Sequence, residues 1–160
     1  MSIVIFDYDG TLSDGTHRLH LLPCKDQHLT SSWILFNAAC VDDSPIRNTI
    51  DVMNAMYTAG FHVIILTGRS DGVRNESVQW LKENGALYHQ LEMRKSDDNR
   101  KDTVIKEEFL RSLGLEKIVA CWDDSPSVIA HFRSLGLTVY QVCDYGDTSC
   151  RTDLHSHGHD

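Results

Sequence analysis

Ile3-Val4-Ile5-Phe6-Asp7-Tyr8-Asp9-Gly10-Thr11 runs from four apolar residues into two carboxylates set two apart, then a glycine. A short apolar run bounded by a turn signal fits a strand buried on both faces, as in a parallel sheet. The acidic pair then falls just past the strand's carboxyl end. Of two such carboxylates, one can attack phosphorus while the other handles the proton. Gly10 lets the backbone turn sharply and frees amides to face a phosphate. Gly10 and Thr11 are therefore candidate phosphate- or substrate-binding residues.

The same grammar repeats along the chain. Residues 61–66 form a second apolar run and lead into Thr67-Gly68-Arg69. Residues 118–122 form another and lead into Asp123-Asp124. A weaker strand is predicted over 87–93 and a last one over 137–142. Helical spacing fills the gaps. Ile46, Ile50, Met53 and Tyr57 mark a helix that starts at Ser44-Pro45 and ends at Gly60, with Asp42-Asp43 capping its start. Another helix is predicted over 73–84. Val104, Ile105, Phe109 and Leu113 mark a third. Ser125-Pro126 caps a fourth, which carries Val128, Ile129, Phe132 and Leu135 on one face. Alternating strands and helices predict an α/β fold: a Rossmann-like three-layer sandwich with a mainly parallel sheet of about five strands.

One segment interrupts that rhythm. Residues 16–43 form an insert after the first strand, and within it Leu29, Trp33, Phe36 and Cys40 keep helical spacing. The spacing predicts one helix there, with Trp33 and Phe36 packed rather than stacking on a base. The domain is read as 1–145. Residues 146–160 are read as a flexible tail ending His155-Ser156-His157-Gly158-His159.

Composition sets outer bounds. The chain has 160 residues, 41% hydrophobic and 24% charged, which fits one soluble domain. No apolar run is long enough for a membrane span, and Met1-Ser2-Ile3 has no signal-peptide character. The five cysteines are odd in number and contain no CxxC pair. Both features suit the cytoplasm. Cys121 and Cys143 sit in apolar runs and are read as buried. A net charge of −8 opposes long-range attraction to nucleic acid.

Ligands of open α/β sheets bind beyond the carboxyl ends of the strands. Asp7, Asp9, Asp123 and Asp124 therefore converge on one edge. Four carboxylates so placed need a cation or raised pKa values, and oxygen ligands in a phosphate site select magnesium. Thr67 and Gly68 can offer a hydroxyl and an amide to phosphate oxygens. Arg69 can clamp an ester in a forked geometry. Asp102 and Lys106 are four apart and share one helix face. Lys106 would neutralise a transferring phosphoryl group, and Asp102 would hold it in place.

With these blocks in order, the chain resembles the haloacid dehalogenase superfamily: the Asp7–Thr11 motif, Leu66-Thr67-Gly68-Arg69, Lys106, then Trp122-Asp123-Asp124-Ser125-Pro126. The resemblance spans nearly the whole chain. It implies Asp7 as nucleophile, an aspartyl-phosphate intermediate, and Asp9 as general acid and base. It also implies magnesium on the Asp7 carboxylate, the Asp9 backbone carbonyl and a carboxylate of Asp123 or Asp124. Arg18, Gly68-Arg69-Ser70 and the run from Arg100 through Lys106 to Glu108 resemble, more narrowly, the 3′-phosphatase domain of bacteriophage polynucleotide kinase. That likeness assigns Asp7, Asp9, Arg18, Arg69, Asp102, Lys106, Asp123 and Asp124 to the active site. The implied partner is a nucleotide or a nucleic-acid 3′-phosphate, and no protein partner is identifiable.

The chain has no GxxxxGK[ST] loop, so a kinase half is absent from it. Three readings follow: a polynucleotide 3′-phosphatase, a phosphatase of free nucleoside monophosphates, or a non-catalytic phosphate-binding domain. The intact Asp7/Asp9 pair argues against the third.

Overall fold

The computed structural model describes residues 1–144, so the expected tail lies outside the described residues. Five strands form one parallel sheet: β1 (Ile3–Phe6), β4 (His62–Ser70), β5 (Gln90–Arg94), β6 (Ile118–Asp123) and β7 (Val139–Gln141), in the order β5-β4-β1-β6-β7. Two further strands, β2 (Ser13–Asp14) and β3 (Ser44–Pro45), pair antiparallel in a small separate ladder. The helices are α1 (Ile34–Ala38), α2 (Arg47–Thr58), α3 (Arg74–Glu83), α4 (Asp102–Leu113) and α5 (Pro126–Ser134).

The side-chain alternation of β1 makes three layers from this order. Ile3 and Ile5 pack with Leu110 of α4 and with Val128, Ile129 and Phe132 of α5. Val4 and Phe6 pack on the other face with Ile50 and Met53 of α2 and Trp80 and Leu81 of α3. All four residues of β1 are buried, as expected of a central parallel strand covered on both sides. The chain winds outward from β1 through β4 to β5, then crosses to β6 and β7. The carboxyl end of β1, between β4 and β6, is therefore the topological switch point.

Several expectations need correction. Ser44-Pro45 does not start a helix. It forms β3, and the next residue donates from its amide to the Leu12 carbonyl at 2.8 Å. The helix begins at Arg47, behind Ile46 and without a side-chain cap. Ladder pairing with β2 wins because Ser44 and Pro45 face Asp14 and Ser13 directly. Asp43, accordingly, is no helix cap. Thr67, Gly68 and Arg69 do not follow β4 but lie inside its nine residues.

The insert is not one helix. It is a chain of short 3-10 turns around the five-residue α1, although Trp33, Phe36 and Cys40 are buried as their spacing required. Cys121 is buried, but Cys143 is exposed, because the last strand stops at Gln141.

Candidate active site

The backbone of β1 delivers Asp7 to the switch point, where its amide donates to the Trp122 carbonyl at 3.0 Å. The stack of Phe6 on Trp122, with centroids 4.4 Å apart, locks that end of the strand against β6. Beyond Asp9 the chain turns at Gly10, whose φ of 79° suits glycine. A Cβ there would fall 2.2 Å from Asp124 Oδ2. Glycine thus allows the loop after β1 to lie against the β6 loop. Thr11 Oγ1 reaches both Asp7 and Asp124, at 3.4 and 3.3 Å.

Carboxylate oxygens of Asp7, Asp123 and Asp124 lie within 4.8 Å of one another, and all three residues are buried. Burial pushes the Asp7 carboxyl up, against the pull of Lys106. Burial and the neighbouring Asp7 charge push Asp123 up to about 7. Three buried oxygen donors that repel one another fit a hard divalent cation such as magnesium.

Lys106 is the counterweight. The spacing in α4 puts it one turn beyond Asp102, and its Nζ stands 3.1 Å from Asp7, 3.3 Å from Asp102 and 3.4 Å from Asp123. Burial opposes its charge, yet the three carboxylates raise its pKa well above the usual lysine value. It is therefore a fixed cation at the edge of the acidic cluster. Gly68 clears the space opposite, since a Cβ there would sit 2.2 Å from Asp102 Oδ1. Thr67 Oγ1 accepts from the Arg69 amide at 3.1 Å.

Asp9 has a different setting. Arg18 and Arg69 each place a guanidinium nitrogen 2.6 Å from its Oδ1. Burial opposes ionisation, but the two arginines hold the carboxyl well below its ordinary range. Arg69 lies over the Tyr8 ring at 3.9 Å and Arg18 over the Phe36 ring at 4.3 Å. Arg18 is no solvated loop residue, being 1% exposed.

Three residues not read from the sequence as site residues belong here. Asp43 forks onto Arg18 Nε and a terminal nitrogen at 2.9 and 2.8 Å, and its Oδ1 lies 2.7 Å from His17 Nε2. Nothing local marks it, because its partners come from the folded insert. Arg94, fully buried at the end of β5, donates to the carbonyls of Gly68 and Asp98 and faces Asp102 at 3.8 Å. Following the strand-end rule along β5 as well would have found it. Asn37 lines the cleft with Asp7, Asp9, Trp33, Phe36, Thr67, Lys106 and Asp123. His20 is exposed on the surface.

Residues 1–147 match the family model described as the polynucleotide kinase PNKP phosphatase domain. Among solved structures, a chain of the Pnkp1/Rnl/Hen1 RNA repair complex is 30% identical over 91% of this chain, with a TM-score of 0.70. A second structure of the Pnkp1/Rnl/Hen1 complex gives the same identity and coverage at 0.71. This chain spans only 43% and 47% of those two chains. The haloacid dehalogenase-like hydrolase SP0104 from Streptococcus pneumoniae shares the fold at 11% identity, with a TM-score of 0.61 over 98% of this chain and 91% of its own. No curated protein sequence matches the chain. Among the described residues no helix is long and apolar enough to cross a membrane. The match over residues 1–147, and the sheet edge that carries Asp7, make this chain a haloacid dehalogenase-type phosphatase belonging to the polynucleotide kinase PNKP phosphatase-domain family.

Proposed function

We propose that this phosphatase removes 3′-phosphates from polynucleotide ends through an aspartyl-phosphate on Asp7, with magnesium as cofactor. The observation that carries the mechanism is the setting of Asp7. Its carboxylate lies at the floor of a cleft, between the Lys106 cation at 3.1 Å and the Asp123/Asp124 pair. The relatives in an RNA repair complex support the nucleic-acid substrate.

Asp7 attacks phosphorus in line. Lys106, Thr67 and Arg69 bear the negative charge that builds on the phosphoryl oxygens. Asp9 protonates the leaving oxygen, then takes a proton from the water that cleaves the aspartyl-phosphate. Held ionised by Arg18 and Arg69, Asp9 is ready for the second task; the first requires that contact to loosen as substrate enters and Asp9 to take a proton from solvent, which it then passes to the leaving oxygen. The Asp7, Asp123 and Asp124 carboxylates, with the Asp9 carbonyl, would hold magnesium. Bound there, it neutralises phosphoryl charge and lets Asp7 approach an anion.

The acidic net charge of −8 favours a second reading, a phosphatase of free nucleoside monophosphates. Phosphate release from a 3′-phosphorylated oligonucleotide and from nucleoside 3′- and 5′-monophosphates, with magnesium or with chelator, tests both. Preference for the oligonucleotide, lost with chelator and weakening steeply with salt, is the expected result. Preference for a mononucleotide with little salt dependence supports the second reading. Equal turnover in chelator removes magnesium from the scheme.

A further inference from the structure

We infer that Asn37 selects the leaving group, hydrogen-bonding through its side-chain amide to a neutral polar group of the nucleoside that departs from the phosphate. The inference rests on the nucleotide reading above and assigns a residue to the part of the substrate that reading leaves uncontacted.

Asn37 is only 5% exposed and lines the catalytic cleft. Its side chain has no hydrogen-bond partner among the described residues, although it carries two N–H donors and an acceptor oxygen. Its amide atoms are not sealed in the core, so in the free protein water can meet them. An amide that faces a cleft is placed to be met by what enters it.

The chemistry of the wall identifies the group it meets. The phosphoryl side of the cleft is charged, with Lys106, Arg69 and the carboxylates. Asn37 stands with Trp33 and Phe36, an apolar and neutral surface. A neutral amide adds little to binding a dianion beside lysine and arginine. It suits a group that both donates and accepts, such as a sugar hydroxyl or a base edge. The two aromatic rings are committed elsewhere. They meet edge to face at 5.6 Å, Phe36 carries the Arg18 guanidinium, and Trp33 Nε1 donates to the Gln27 carbonyl at 2.9 Å. Asn37 is thus the polar handle of that wall.

The wall is also held in place. On one side Arg18 donates to the Phe36 carbonyl at 3.1 Å and to Asp43. On the other, Thr30 bonds the Asp98 carbonyl at 2.6 Å and the Asn99 side chain at 2.8 Å. A residue presented by a fixed wall can discriminate, because its geometry is set before substrate arrives.

The test compares two substrates with the full chain and magnesium: a 3′-phosphorylated oligonucleotide and p-nitrophenyl phosphate, which lacks a nucleoside. Asn37→Ala should lower the ratio of their kcat/KM values about tenfold, mainly through a higher KM for the oligonucleotide. Asn37→Leu, which keeps the volume and removes the polar atoms, should give the same ratio if the alanine variant fails to fold. A ratio within twofold of wild type overturns the assignment, whether both rates persist or both fall together. If wild-type protein turns over p-nitrophenyl phosphate but no nucleotide, the nucleotide reading itself fails and takes this assignment with it.

Discussion

Arg18 and Asp43 stand 25 residues apart in the chain and meet as a two-bonded fork at 2.9 and 2.8 Å, with side chains 1% and 0% exposed. Through the same guanidinium Arg18 reaches Asp9 at 2.6 Å, so Asp43 orients the residue that orients Asp9. Asp43→Ala leaves a buried arginine short of a partner and should cost about 3–5 kcal/mol in denaturant unfolding. Asp43→Asn keeps the shape and should fold, with kcat at least tenfold lower. Unchanged kcat in a folded Asp43→Asn protein would limit Asp43 to a structural role.

Asp7→Asn should abolish turnover and leave the fold intact. The substitution also removes one of the buried, mutually repelling carboxylates around Asp123 and Asp124. In chelator the variant should therefore unfold at a temperature no lower than wild type, although the 3.1 Å contact with Lys106 is weakened. Substantial activity in a well-folded sample would refute the nucleophile assignment.

Lys106→Ala should lower the rate by several orders of magnitude. Helix spacing alone would allow Lys106 to lie on the surface and be neutral for stability. Its burial at 2% exposed, with three carboxylates within 3.4 Å, changes that expectation. Removing it leaves Asp7 and Asp123 without that cation and Asp102 with only Arg94 at 3.8 Å, and unfolding free energy should fall by several kcal/mol without metal. A mild effect on both rate and stability would separate Lys106 from the acidic cluster.

Magnesium should stabilise the protein more at pH 8 than at pH 6. Asp123, pushed up to about 7, binds its proton more tightly folded than unfolded, where a carboxyl titrates near 4. The stability that this proton confers is complete below about 4 and is lost as pH rises through about 7. Above that pH the ionised cluster needs a cation, and below it protons compete with one. Melting temperatures with magnesium and with chelator at the two pH values check this. An equal increment at both separates cation binding from this carboxyl.

The parts of the site that lie on strand ends were legible because a parallel sheet brings its carboxyl ends together whatever the loops do. Asp7, Thr67, Arg69 and Asp123 needed only the strand pattern to be grouped, and Lys106 needed one helical repeat from Asp102. Ser125-Pro126 was readable as a helix start because its cap is local; Ser125 Oγ accepts from the Val128 amide. The similar Ser44-Pro45 was misread because its partner, β2, lies some thirty residues earlier, and a two-residue ladder has no periodicity. Asp43, read only as a helix cap, and Asn37 escaped for a related reason. Asp43 follows a 3-10 turn, and Asn37 sits in the five-residue α1, too short for its face to stand out in the sequence.

The position of β1 has a kinetic consequence. It precedes every other strand of the main sheet in the chain, yet it occupies the middle, with β4 on one side and β6 on the other. While the polypeptide emerges, β1 can dock on β4 once residue 65 is available, but the edge that will receive β6 stays open until residue 122. An unpaired, wholly apolar strand edge is a site for mispairing with another nascent chain. The acidic cluster cannot close before that late pairing, so the catalytic site is complete only when the long-range topology is, and phosphate release serves as a readout of finished folding.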